Sequence, residues 1–126
     1  MPAPTTLYES ATGGPDLPAG EWLEIPAAED TAVLRGPCTY SVTVAATLSG
    51  TATAGRVQLR FVHVDIETRR RSAALPADAP VRDGDVGVQV TRSGTIPAGQ
   101  YLKVEALADA AGATVTHRTV DGLIWR

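Results

Sequence analysis

Asparagine is absent from this chain of 126 residues, and cysteine, methionine, phenylalanine and lysine each occur once. The single cysteine, Cys38, excludes an internal disulfide and a cysteine-based zinc site, and it reads as a small buried hydrophobe. The single lysine, Lys103, stands beside ten arginines and abundant alanine, a coding bias that says nothing about mechanism. Aromatic residues make up 5% of the chain, so the core has to be built from Val, Leu, Ile and Ala. With few rings and no Asn, the chain is poorly supplied for a sugar site, which uses aromatic platforms and clustered Asp, Asn or Gln. A net charge of −3 gives nucleic acid nothing to bind. No apolar run approaches the roughly 20 residues of a membrane helix. The opening Met1-Pro-Ala-Pro-Thr-Thr6 has neither the basic nor the apolar region of a signal peptide, so synthesis and assembly are expected in a cytosol.

What is present is a two-residue rhythm. Tyr40, Val42, Val44, Ala46 and Leu48 alternate with Ser41, Thr43, Ala45 and Thr47, which predicts a strand with one apolar face. Val86, Val88 and Val90 repeat the pattern, as do Leu102, Val104, Ala106 and Ala108. Glu21–Ile25, Thr31–Arg35 and the β-branched Thr114–Val120 are further strands, and Leu123 and Trp125 share a face of a last one. Between Val57 and Ile66 the apolar phase flips at Phe61–Val62, the mark of a bulge or of a strand end buried on both faces. Ser49–Gly55 is a loop of small residues, and residues 67–85 form a charged, Pro-containing connection. Residues 1–20 hold four Pro and three Gly with little periodicity and read as an extended arm touching down at Leu7 and Tyr8. No stretch has the period of an amphipathic helix. The strands and turns predict an all-β sandwich or barrel over 21–126 behind that extended N-terminal arm. Leu17-Pro-Ala-Gly-Glu-Trp22 and Ile96-Pro-Ala-Gly-Gln-Tyr101 echo one another, as two strands begun by the same Pro/Gly turn.

Three stretches resemble the C1q/tumour-necrosis-factor jelly roll: Gly36-Pro-Cys-Thr-Tyr-Ser-Val-Thr-Val44, Ser93–Val104 and the closing Val120-Asp-Gly-Leu-Ile-Trp125. The match spans about 90 residues and implies an all-β, jelly-roll-like antiparallel β-sandwich over 21–126 with an extended N-terminal arm. It departs from the family in having Val120 where Phe is usual and in lacking a collagen-like stem. The whole-chain layout, a small Ala/Thr/Val/Gly-rich sandwich behind a Pro/Gly-rich arm, resembles accessory proteins of tailed-phage virions such as head decoration, head fibre and minor tail proteins. These resemblances imply a structural virion protein, assembled in the host cytoplasm, most simply a capsid decoration protein. It would form a homo-oligomer, with a trimer expected, and meet other virion proteins such as the major capsid protein. A carbohydrate- or receptor-binding sandwich is the alternative.

The residues that carry chemistry are few. No Gly-x-Ser-x-Gly elbow accompanies His63 or His117, and no acid/base pair stands out, so no catalytic residue and no cofactor is assigned and no enzyme is expected. His117, in phase with Val115, is expected to point inward. Asp83-Gly84-Asp85 offers oxygens to calcium but supplies too few ligands, and Asp-Gly is an ordinary turn, so Asp83 and Asp85 remain weak metal candidates. Arg69-Arg70-Arg71 suits an acidic partner surface, or a solvated tip that blocks edge pairing. Leu7, Tyr8, Trp22 and these three arginines form the expected partner-binding set. Trp125 is expected in the core more than at a contact. Thr43, Ala45, Thr47, Gln89 and Thr91 form a small, neutral sheet face suited to a neighbouring subunit or to solvent.

Overall fold

The computed structural model describes residues 3–25 and 32–126. Residues 1 and 2 of the arm and Thr31 of the second expected strand lie outside the described residues. The strands are β1 (Thr5–Thr12), β2 (Leu23–Glu24), β3 (Ala32–Arg35), β4 (Cys38–Ser49), β5 (Val57–Asp65), β6 (Arg71–Ala73), β7 (Ala77–Ala79), β8 (Val86–Ile96), β9 (Gln100–Ala108) and β10 (Thr114–Trp125). All pairings between them are antiparallel. Sheet one runs β1-β10-β4-β8. In sheet two β9 lies between β5 and the interrupted edge β2/β3, while β6 and β7 extend the β5 side. Counting β2 with β3 and β6 with β7 as broken edge strands leaves eight strands that cross repeatedly between two sheets, which is the jelly roll.

The core lies where the alternating faces meet. Tyr40, Val42, Val44, Ala46 and Leu48 of β4 point at Leu59 and Phe61 of β5 and at Leu102, Val104 and Ala106 of β9, all of them buried. The phase flip in β5 has no register shift behind it. Its pairing with β9 runs unbroken from Val57↔Ala108 to Asp65↔Gln100, and Phe61 and Val62 are both buried, on opposite faces. The strand end is therefore covered on both sides. The small-residue loop closes as one helical turn, Thr51–Ala54, entered through Gly50 at φ 80°. A side chain at Gly50 would begin 2.1 Å from the Gly112 carbonyl oxygen, so only glycine lets this turn rest on the β9–β10 connection.

The described part of the expected arm, residues 3–20, lies on its own sandwich from Thr5 onward. β1 pairs residue by residue with β10, from Thr5↔Ile124 to Thr12↔His117. Leu7 packs against the core, and Leu17 is 2% exposed within it. The physical reason is backbone pairing: an edge strand gains its ladder hydrogen bonds without needing an apolar stripe of its own. The two echoed segments each turn through a left-handed glycine, Gly20 at φ 69° and Gly99 at φ 81°, after an apolar anchor, Leu17 or Ile96.

Candidate interaction surface

The outer face of sheet one carries the odd-numbered residues of β4 and β8, those of β10 from His117 onward, and Thr6, Tyr8, Ser10 and Thr12 of β1. Hydroxyl groups pair across β4 and β8: Thr39 with Thr95 at 3.3 Å, Ser41 with Ser93 at 3.1 Å, and Thr43 with Thr91 at 2.7 Å. Ala45 and Thr47 continue the row opposite Gln89 and Gly87. On the β1 side Tyr8 is 66% exposed and Leu123 39% exposed, two residue pairs apart in the β1–β10 register. Asp121 is the one formal charge on this face among the described residues. The face is broad, nearly neutral and already hydrogen-bonded within itself.

The outer face of sheet two has the opposite character. Glu105 of β9 is 2% exposed and is the hub of an ionic cluster. Its Oε1 accepts from Arg60 Nε at 3.1 Å and Nη2 at 2.9 Å, while Oε2 accepts from Arg71 and lies 3.4 Å from Lys103 Nζ. Lys103 also pairs with Glu24. Burial pushes the Glu105 carboxyl up, but the Arg60 hydrogen bonds and the charges of Arg71 and Lys103 outweigh it and hold the group below its usual 4.5. The Arg60 guanidinium stacks 3.8 Å from the centre of the Trp22 ring.

The expected partner-binding set is therefore split. Arg71 is engaged by Glu105 and Trp22 by Arg60, so both serve the fold of this chain first. Leu7 is half-buried against the core, and Tyr8 is open. Arg69 and Arg70 are exposed at the tip between β5 and β6, where Asp65 Oδ1 accepts the N–H groups of Glu67 and Thr68. The Thr68 backbone bond leads the influences that hold the Asp65 carboxyl below its usual range. Beneath this tip a cavity of about 590 Å³ is bounded by His63, Asp65, Arg70, Ser72 and Gln100. His63 Nε2 lies 2.9 Å from the Tyr40 hydroxyl. Burial first, and then the charge of Arg92, hold His63 below its usual 6.5. Burial pushes the Tyr40 hydroxyl up.

Two orientations differ from expectation. A register shift between Val115 and His117 makes Thr116 an extra residue, so Val115 points into the core while His117 faces outward opposite Thr47. His63 and His117 accordingly sit on different faces. Trp125 lies opposite Thr39 on the outer face of sheet one, half-buried, while Val120 and Ile124 fill the core instead. Asp83 and Asp85 flank Gly84 in an exposed turn, and among the described residues no three His, Cys, Asp or Glu side chains gather as a metal site. The sequence reading missed the Glu105 cluster and Arg118, which is 1% exposed. The phase Arg118, Val120, Gly122, Ile124 was the available signal for the latter.

No protein-family model matches the chain, and no curated protein matches its sequence. Solved structures do match. The chain is similar to Eiger TNF from S. frugiperda at 10% identity and TM-score 0.68, covering 99% of this chain and 94% of that one. It is similar to the globular domain of zebrafish complement 1qA at 13% identity and TM-score 0.60, with 98% and 97% covered. Murine APRIL follows at 9% identity and TM-score 0.53, with 97% and 100% covered. At such identities what is shared is the fold, a jelly roll of the C1q/TNF kind.

Proposed function

We propose that this chain is a structural protein of a tailed-phage virion. It acts by contact, forming a homo-oligomer, with a trimer expected, that decorates and stabilises the capsid. The observation that carries the contact role is the outer face of sheet one. Its hydroxyls are already paired across β4 and β8, and Asp121 is its one charge among the described residues, so covering it costs little desolvation. Tyr8 and Leu123 add apolar area at its margin. The occupant is a second copy of the chain. Arg69 and Arg70, free of the Glu105 cluster, suit an acidic surface on the major capsid protein. The virion assignment itself rests on the layout of the sequence. A carbohydrate-binding role is less well served, because Trp22 has one ring face under Arg60 and Tyr8 is the one broadly exposed ring among the described residues.

Two measurements test the proposal. The full chain should have an oligomeric mass in solution, and the double variant Thr43→Arg with Thr91→Arg should be a folded monomer. A monomeric parent overturns self-association. The chain should also be found in purified particles of the encoding phage, and confinement to the particle-free lysate overturns the virion role.

A further inference from the structure

Arg118 of β10 stands in register with Ala46 on one side and Ala11 on the other, and its side chain enters the space between the sheets. It is 1% exposed, yet among the described residues Nε, Nη1 and Nη2 find no hydrogen-bond partner. A guanidinium has five N–H donors and keeps its charge in proteins. Burial lowers the pKa of Arg118, and the charge of Glu9 opposes that shift. Glu9 itself is exposed on β1 and does not reach a hydrogen bond with the guanidinium. Among the described residues no carboxylate contacts this buried cation, an arrangement that a bound anion would complete.

The guanidinium lines a cavity of about 230 Å³, walled by Ala11, Pro15 and Ile25 and opening past the exposed Thr12, Gly13 and Gly14. The mouth is held in place by several bonds. Gly13 N–H donates to the Thr116 carbonyl at 2.8 Å, and Val115 N–H donates to the Pro15 carbonyl at 3.2 Å. The Thr114 hydroxyl donates to Asp16 Oδ1 at 2.7 Å. Gly14 lies so close to Val115 that a side chain would begin 2.7 Å from its carbonyl oxygen.

We propose that this cavity binds one carboxylate group from outside the chain, gripped by the fork of Arg118. The planar guanidinium matches a carboxylate with two parallel bonds. One cation balances one negative charge, whereas a phosphate dianion would bring excess charge into an apolar enclosure near Glu9. The apolar walls suit the short hydrocarbon stem of a small aliphatic acid, or of an Asp or Glu side chain from a neighbouring chain. This inference is independent of the virion reading.

Propionate is the probe. Titrated into the full chain at constant ionic strength, it should shift the Arg118 Nε–H and the Gly13 and Gly14 amide resonances saturably. Arg118→Met should weaken that binding by about tenfold or more. Methyl phosphate should bind more weakly than propionate. If, in the assembled oligomer or particle, the Arg118 Nε–H signal already sits at its bound position and ignores propionate, the carboxylate comes from a neighbouring chain. If it still responds, the natural ligand is a small free acid. The proposal is overturned if the wild-type signals do not shift in either state. It is also overturned if Arg118→Met binds propionate as well as the parent, or if methyl phosphate binds more tightly. The wild-type titration decides the matter even if the variant fails to fold.

Discussion

The two outer faces of this sandwich are made from the same strand geometry and have opposite chemistry. Sheet one presents hydroxyls and small side chains with Asp121 as its single charge among the described residues, while sheet two concentrates Glu24, Arg60, Arg71, Lys103 and Glu105 in one cluster with Trp22 stacked on Arg60. Three cations share two carboxylates there, so the charges of that face are engaged with one another inside one chain. The hydroxyl ladder is satisfied but uncovered, and another protein can bury it without stripping water from charges. Charge placement therefore divides the molecule into a face that supports the fold and a face available for contact.

Removing the hub of the cluster should have the largest effect. Glu105→Ala leaves Lys103, 7% exposed, and Arg60 without their shared carboxylate, and should cost roughly 3 kcal/mol in denaturant unfolding. Acid should do the same by degrees, in two steps. His63 is held below 6.5 in the folded chain, so its contribution is complete above pH 6.5 and is lost as pH falls towards its folded value. Glu105 is held below 4.5, so its contribution is complete above pH 4.5 and disappears as pH falls through its folded value. Melting temperatures should fall in that order, with His63→Gln removing the upper step and Glu105→Gln the lower. The smallest effect belongs to sheet one. Thr43→Val removes a surface hydroxyl pair with Thr91 and should change stability by no more than about 0.5 kcal/mol. A large loss from Thr43→Val would erase the contrast between the faces.

The fold was legible wherever burial alone sets the pattern. The alternation from Tyr40 to Leu48 marked β4, and of the two readings of the flip at Phe61–Val62, a bulge or a strand end covered twice, the structure has the second. β1 was not legible as a strand, because only Leu7 and Ala11 among its eight residues are partly shielded and its place is fixed by backbone pairing with β10. The ionic hub was hidden for a different reason. Glu105 meets Arg60 at a separation of 45 residues and Arg71 at 34, so no local spacing announces the cluster. His117 was misplaced because an inserted residue leaves no trace in composition. The hydroxyl face, by contrast, was read directly from Thr43, Thr47 and Thr91.

Thr116, the additional residue in β10, does two jobs at once. Residues after it stay in step with β4, so excising it would leave Arg118 pointing inward and His117 outward. What would vanish is the displaced carbonyl that pins Gly13. The irregularity in the strand and the rim of the Arg118 cavity are thus one feature, and a chain shortened there would keep its jelly roll while losing its doorway.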